Sequence, residues 1–164
     1  TPPKCRRVIR SSTPLFMNNI GLLTDALIAS IPAKQLEEVE SFIAVEARGF
    51  VLASLLAQRT GKGLILVRKA GKLPPPVVGV GYSLEYGLDR LEMSAEIESQ
   101  KVIIVDDVLA TGGTLKAVKQ LAEKCNHNVL GASIFLDLPD LHANLGLDIW
   151  TVLDDKSKPE SVAA

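Results

Sequence analysis

The segment Val102-Ile-Ile-Val-Asp-Asp-Val-Leu-Ala-Thr-Gly-Gly-Thr114 joins an apolar strand to the start of a helix through a turn of small residues. Residues 102–105 form a short continuous run of β-branched side chains, which is typical of a strand buried on both faces. Two adjacent carboxylates, Asp106 and Asp107, follow at the carboxyl end of that run. The pattern predicts a parallel strand that carries acidic side chains to a ligand at one edge of a sheet.

The turn that follows, Ala110-Thr111-Gly112-Gly113-Thr114, has the composition of an anion-binding loop. Glycines allow backbone N–H groups to close around an anion, and the amino end of a helix adds partial positive charge. Because carboxylates repel phosphate, we expect Asp106 and Asp107 to bind ribose hydroxyls, with Mg²⁺ held nearby through water. A plain Asp-initiated turn is the alternative. The chain has neither a Lys after these glycines nor a Gly-x-Gly-x-x-Gly run, which excludes the two common nucleotide-binding loops.

Strand and helix patterns alternate along the rest of the chain. Strands are predicted at 42–45, 64–67, 129–136 and 149–153, and helices at 20–31, 50–59 and 114–125. This alternation indicates an α/β fold with a mainly parallel, twisted sheet flanked by helices, as a single domain over 1–164. Residues 1–15 are predicted to form an irregular arm, 70–88 a flexible lid loop rich in glycine and proline, and 154–164 a solvated tail.

Composition narrows the class of protein. The 164 residues are 47% hydrophobic and 23% charged, which suits one compact domain with a buried core. A net charge of -1 argues against nucleic acid as a partner. The sequence has neither a stretch of about 20 apolar residues nor a secretory signal, and its two cysteines are too few for a disulfide framework. We therefore expect a cytoplasmic protein with no membrane partner. The chain opens at Thr1, which leaves room for natural residues upstream.

Residues 102–114 resemble the phosphoribosyl-pyrophosphate signature of type I phosphoribosyltransferases. Three further segments resemble the members that act on adenine, in the same order and at similar spacing: Val45-Glu-Ala-Arg-Gly-Phe50, Val67-Arg-Lys-Ala-Gly-Lys-Leu-Pro74 and Tyr82-Ser-Leu-Glu-Tyr-Gly87. The resemblance covers roughly residues 8–153. It implies transfer of the 5-phosphoribosyl group from phosphoribosyl pyrophosphate to adenine, with Mg²⁺ bound alongside the phosphoribosyl pyrophosphate.

The resemblance also implies a role for each segment. Asp106 and Asp107 would hold the ribose hydroxyls, contacting the metal only indirectly, and 110–114 would bind the 5′-phosphate. Ala47-Arg48-Gly49 would form the pyrophosphate loop, with Arg48 also flanking the base and contributing to catalysis. A guanidinium suits both tasks, because it forks onto oxygens and stacks on planar rings.

Two further segments are implied to act on the leaving group and the base. Arg68, Lys69 and Lys72 would neutralise pyrophosphate, partly in the neighbouring subunit's site, which implies a homodimer. Glu85 in the lid would manage the proton at the imidazole nitrogen of adenine, and Tyr86 would help seal the lid and bind phosphoribosyl pyrophosphate. For each of these residues, a solvated surface side chain is the alternative.

The N-terminal arm departs from the family pattern, which has a Phe-Pro-x-x-Gly-aliphatic-x-Phe-Arg-Asp run at this place. Arg6 stands for the glycine, Ile9 for the aromatic residue and Ser11 for the aspartate. By resemblance, the backbone around Val8 and Arg10 would read the adenine edge. Losing the aromatic residue removes a stacking contact worth about 1 kcal/mol.

The faces of the base would pack between Val8 or Ile9 and Leu138. Three alternatives stay open: a transferase for another purine such as hypoxanthine or xanthine, a poorly active enzyme, and a non-catalytic sensor of phosphoribosyl pyrophosphate. The last would need a nucleic-acid-binding part, which we do not expect in residues before 15 or after 153.

Overall fold

A computed structural model describes residues 17–84 and 87–155. Its helices are α1 (Ile20–Ser30), α2 (Ala33–Glu38), α3 (Arg48–Thr60) and α4 (Gly113–Lys124), with a 3₁₀ turn at Pro139–Leu141. Its strands are β1 (Ser41–Val45), β2 (Gly63–Lys69), β3 (Val77–Leu84), β4 (Gly87–Ser94), β5 (Lys101–Leu109), β6 (Asn128–Asp137) and β7 (Ile149–Asp154). The predicted arm, residues 1–15, lies outside the described residues, and so does most of the predicted tail.

The strands form one sheet in the order β3-β4-β2-β1-β5-β6-β7. The five strands from β2 to β7 in that order are parallel, whereas β3 and β4 form an antiparallel hairpin joined to β2 through β4. This confirms the predicted α/β fold with a mainly parallel sheet. From β1 the chain turns to β2 on one side, and from β5 it continues to β6 on the other. The gap between the carboxyl ends of β1 and β5 is therefore the topological switch point, where such sheets bind ligands.

Alternate residues of the two central strands fill two hydrophobic layers. Ile43 and Ile104 face the layer under α4, and Phe42 and Ile103 face the layer under α1 and α3; all four side chains are fully buried. Burial on both faces explains why these strands read as continuous apolar runs. The core thus fixes β1 and β5 side by side and brings their carboxyl ends together.

The prediction of an irregular loop over 70–88 is wrong for most of its length. Val77–Leu84 pairs residue by residue with Gly87–Ser94, and Val78, Val80 and Tyr82 pack on the core from alternate positions. Gly79 stands between them because the guanidinium of Arg90 occupies the space where a Cβ would lie. Gly79, one of the glycines that suggested a loop, therefore makes a close contact within a hairpin.

Smaller differences affect the ends of elements. β5 continues to Leu109, so Asp106 and Asp107 lie within the strand rather than after it. The short helix α2 and the strand β4 were not predicted. In the described part of the chain, no helix has the length and apolar character needed to cross a bilayer.

Candidate active site at the carboxyl edge of the sheet

A cleft of about 330 Å³ opens at the carboxyl ends of β1 and β5. One wall is the turn from β1 into α3, residues 46–48, and the other is the segment 106–115, with Ile134 beside it. The fold thus brings together both predicted carboxylates, the whole predicted phosphate turn, Ala47 and Arg48. These residues come from segments far apart in the sequence, and the switch point explains their meeting.

The turn 110–114 presents the amino end of α4 to the cleft. Gly112 is left-handed, with φ 84° and ψ 1°, and stands directly before the first helical residue, Gly113. The first turn of α4 contains no acidic residue. Free N–H groups at a helix start attract anions. This geometry suits the phosphate role predicted for the turn.

The carboxylates of Asp106 and Asp107 form the floor of the cleft. The Asp107 side chain is only 3% exposed; its Oδ2 lies 2.9 Å from Nε of Arg48, and its Oδ1 accepts the Val108 N–H at 2.9 Å. The Asp107 N–H donates to Oδ1 of Asp106 at 2.8 Å. Burial, together with the negative charge of Asp107, raises the pKa of Asp106 to about 8. The Arg48 guanidinium thus offsets the charge of Asp107, while burial beside that carboxylate disfavours the charged form of Asp106.

Gly49 is required by the approach of α3 to β5. A Cβ at this position would lie 2.8 Å from the carbonyl oxygen of Val105 and 3.5 Å from Oδ1 of Asp106. Because the first of these atoms belongs to the backbone of a buried strand, it cannot move aside at low cost. The glycine therefore allows the start of α3, with Arg48, to reach Asp107.

The predicted basic residues lie beside the cleft, at the end of β2, and each of the first two has an acidic partner. Arg68 Nη2 is 3.1 Å from Oε1 of Glu46, and Lys69 Nζ is 3.1 Å from Oδ2 of Asp89. Hydrogen bonding to Asp89 raises the pKa of Lys69. Lys72 is exposed to solvent. The structure thus places the three cations together, beside the cleft and not among the residues that line it.

Sequence reasoning missed the residues that organise this group. Glu46 stands on the cleft wall directly after a buried apolar run, and that position could have marked it. Tyr82 donates to Oδ2 of Asp89 at 3.5 Å, and burial, together with the negative charge of Asp89, raises the pKa of Tyr82. The hairpin also packs through β3 against α4, the helix that follows the phosphate turn. Tyr82 begins one of the quoted segments, but its pairing with Asp89 was not predicted, because that contact depends on the β3–β4 hairpin.

Leu138 follows β6 at the same edge of the sheet. Its N–H donates to the Leu109 carbonyl at 3.0 Å, and its side chain is partly buried. Nearby, Nε2 of His142 lies 2.7 Å from Oδ1 of Asp137, and Nδ1 lies 2.9 Å from the Ala143 carbonyl oxygen. These two bonds raise the pKa of His142. The other predicted residues around the base, Val8, Ile9, Arg10, Glu85 and Tyr86, lie outside the described residues.

Comparison with known proteins agrees with the geometry. The family described as "Phosphoribosyl transferase domain" matches residues 14–160. The curated adenine phosphoribosyltransferase of Bifidobacterium animalis subsp. lactis is 41% identical over 152 residues, which cover 90% of this chain and 75% of that protein. The protein of the same name from Nitrosopumilus maritimus is 42% identical over 113 residues, and the matched part spans 68% of this chain and 66% of its length.

Solved structures show the same fold. The adenine phosphoribosyltransferase of Rhodothermus marinus superimposes with a TM-score of 0.78 at 34% identity, covering 88% of this chain and 85% of that one. The adenine phosphoribosyltransferase of Saccharomyces cerevisiae, solved with an imino-altritol bisphosphate and adenine, has a TM-score of 0.80 at 32% identity, covering 87% and 85%.

Proposed function

This chain belongs to the adenine phosphoribosyltransferase family, and from this premise we propose how its cleft transfers the 5-phosphoribosyl group of phosphoribosyl pyrophosphate to adenine. The products are AMP and pyrophosphate, so the reaction salvages a purine base. One observation carries the assignment of the site: the family's signature carboxylates and glycine turn line a single cleft together with Arg48.

The cleft divides into three subsites in this proposal. The N–H groups of 110–114 bind the 5′-phosphate, and the carboxylates of Asp106 and Asp107 accept hydrogen bonds from the ribose hydroxyls. The pyrophosphate lies against 47–49, with Arg68, Lys69 and Lys72 beside it. Because the leaving group gains negative charge as the glycosidic bond breaks, cations fixed there lower the barrier.

Mg²⁺ fits the donors on the cleft floor. In the described ranges, no group of three or more His, Cys, Asp or Glu side chains is placed to hold a metal. A pair of carboxylates still suits a cation that keeps several waters and takes other ligands from substrate phosphates. Asp106 and Asp107 would therefore hold it through water or the ribose hydroxyls. When bound, the ion neutralises charge on the pyrophosphate oxygens.

The base and its proton are assigned by family resemblance. Residues 8–10 and Leu138 hold adenine together with Arg48, and Glu85 handles the proton of its imidazole ring. The β3–β4 hairpin and Tyr86 exclude water, because an oxocarbenium-like sugar would otherwise react with it. The packing of β3 against α4 supports this role, since it holds the hairpin beside the helix that starts at the phosphate turn.

We also propose a homodimer that works in the cytoplasm. Leu64 and Leu66 are 40% and 37% exposed, although they lie in register with Phe42 and Ala44, which are fully buried on the same face of the sheet. Two neighbouring apolar side chains exposed to solvent on an otherwise buried face are typical of a protein–protein interface. The pair lies on β2, the strand that ends in Lys69, so a partner docked there would approach the basic group. The low cysteine content is in keeping with a reducing compartment.

A product assay with each purine base tests the proposed function. Protein, Mg²⁺ and phosphoribosyl pyrophosphate are incubated with adenine, hypoxanthine, guanine or xanthine, and nucleotides are separated by chromatography. We expect AMP from adenine and at least about 100-fold slower reaction with 6-oxopurines, because a hydrogen-bonding site rejects a wrong edge strongly. Equal rates with a 6-oxopurine would overturn the adenine assignment. Binding of phosphoribosyl pyrophosphate without any product would favour the sensor.

A further inference from the structure

Glu46 places a negative charge on the wall of a cleft that is proposed to bind pyrophosphate. It directly follows β1, and its side chain is only 19% exposed. By charge alone, an acid at this position weakens the binding of a polyanion. Its contacts indicate another role, because both carboxylate oxygens are engaged by residues at the start of the basic loop, 68–72.

The carboxylate joins the ends of two neighbouring strands. Val45 is in register with Val67, and the Glu46 N–H donates to the Val67 carbonyl at 3.1 Å. Oε1 lies 3.1 Å from Nη2 of Arg68, and Oε2 accepts the backbone N–H of Lys69 at 2.9 Å. The Lys69 N–H lowers the pKa of Glu46, and Arg68 contributes in the same direction. The side chain is therefore a charged bridge between the cleft wall and the basic loop.

Arg68 is held from a second side. Its Cζ lies 5.8 Å from the centroid of the Phe50 ring, which belongs to the first turn of α3. Its Nε is buried and has no hydrogen-bond partner among the described residues. The guanidinium thus lies between an aromatic face and a carboxylate. Its Nη1 also donates to the Lys72 carbonyl at 3.5 Å, within the basic loop. Of these three contacts, only the one to the Glu46 carboxylate joins two opposite charges.

We propose that Glu46 is a positioning residue, which holds the basic loop 68–72 against the pyrophosphate turn 47–49 so that its cations face the leaving group. The inference rests on the function proposed above. Loss of the carboxylate would release the Arg68 guanidinium and loosen the loop. The resulting loss of ordered cations outweighs the relief of repulsion, so affinity for pyrophosphate falls when this negative charge is removed.

Glu46→Gln tests the proposal directly, because positioning and simple repulsion predict opposite changes in the affinity for pyrophosphate. Glutamine keeps the size of the side chain and an oxygen for the Lys69 N–H, but it loses the charge that holds Arg68. Titration calorimetry with pyrophosphate and Mg²⁺ should show Kd increased by about tenfold. The KM for phosphoribosyl pyrophosphate should rise to match, while the KM for adenine stays within about twofold. Tighter pyrophosphate binding would overturn the proposal, because it would show that Glu46 only repels the ligand. Unchanged binding would also overturn it, because it would show that Glu46 has no effect on this site.

Glu40→Gln is the matched control. Glu40 flanks the other end of β1, where its Oε2 accepts the Lys101 N–H at 2.7 Å, so the variant removes the same charge from a similar bridge at the opposite edge. We expect it to bind pyrophosphate like wild type. Glu46→Asp, which keeps the charge but is too short to reach both partners, should bind less tightly than wild type, and it replaces Glu46→Gln if circular dichroism shows that the latter does not fold.

A double-mutant cycle with Arg68→Ala locates the effect. If Glu46 acts through Arg68, the Glu46→Gln loss shrinks when Arg68 is absent, whereas fully additive losses would contradict positioning. AMP formation by wild type is measured in the same series. If wild type makes AMP and Glu46→Gln binds pyrophosphate as wild type does, only this inference is refuted. If wild type neither binds pyrophosphate nor makes AMP, the proposed function is refuted as well.

Discussion

Replacing Gly112 with alanine tests whether the turn 110–114 binds the substrate phosphate through its backbone. Gly112 has φ 84°, and the left-handed region costs an L-residue about 1–2 kcal/mol. The new Cβ would lie 2.7 Å from Cδ2 of Leu145 and 2.9 Å from its Cδ1. Those atoms end a flexible side chain that is able to rotate away, so the backbone term dominates. We expect the free energy of unfolding to fall by about 1–2 kcal/mol.

The effect on ligand binding should be larger. Relaxation of φ toward negative values would turn the N–H groups that precede and start α4 away from the phosphate. Loss of one hydrogen bond to a charged group costs about 1.5–3 kcal/mol, which is roughly a 10- to 150-fold loss in affinity. Both AMP and phosphoribosyl pyrophosphate carry this 5′-phosphate, so both should bind less tightly, whereas adenine alone should not.

Urea unfolding and titration calorimetry with AMP measure the two effects separately. Gly61→Ala is the control, because Gly61 is also left-handed, with φ 69° at the end of α3, and a Cβ there meets nothing within 4 Å. It should lose similar stability and keep wild-type affinity for AMP. Wild-type affinity in Gly112→Ala would refute the backbone cradle.

Three further predictions concern the base proton, pH and assembly. Glu85→Gln should slow the chemical step by about 10²–10⁴-fold in single-turnover experiments with little change in KM, and a step within about threefold of wild type would remove Glu85 from catalysis. Because hydrogen bonds to Ala143 and Asp137 raise the pKa of His142, its protonated form stabilises the fold below pH 6.5, and this contribution is lost as pH rises through the raised pKa. In urea unfolding, the stability gap between wild type and His142→Asn should therefore shrink from pH 5.5 to pH 9, and a constant gap would contradict the assignment. Leu66→Asp should sediment as a monomer where wild type sediments as a dimer; dimeric Leu66→Asp would move the interface elsewhere.

The central strand and its phosphate turn were predictable because their signals are local. An apolar run ending in Asp106 and Asp107, followed by two glycines, needs no knowledge of the rest of the chain. The meeting of this segment with Ala47 and Arg48 also followed, since parallel strands of alternating α/β chains deliver their carboxyl ends to one edge.

The hairpin and the ion pairs around the cleft could not be read in this way. In β3, Gly79 and Gly81 separate the apolar residues and suggest a loop, and the close contact of Gly79 with Arg90 exists only because the partner strand lies beside it. The pairing of Glu46 with Arg68 depends on the register of two strands, and the pairing of Lys69 with Asp89 on the hairpin. Such contacts are tertiary, so the secondary-structure propensities of the local sequence do not predict them.

The most direct test of the proposed reaction and its site is the amount of AMP and pyrophosphate formed from adenine, phosphoribosyl pyrophosphate and Mg²⁺ by wild type and by Asp107→Asn. Wild type should release the two products in equal amounts. The variant loses the negative charge that would accept two hydrogen bonds from the ribose hydroxyls, and these two bonds together contribute about 3 kcal/mol. We therefore expect AMP formation to be about 100-fold slower, with an unchanged circular dichroism spectrum. Absence of AMP with wild type, or an undiminished rate in Asp107→Asn, would contradict the account.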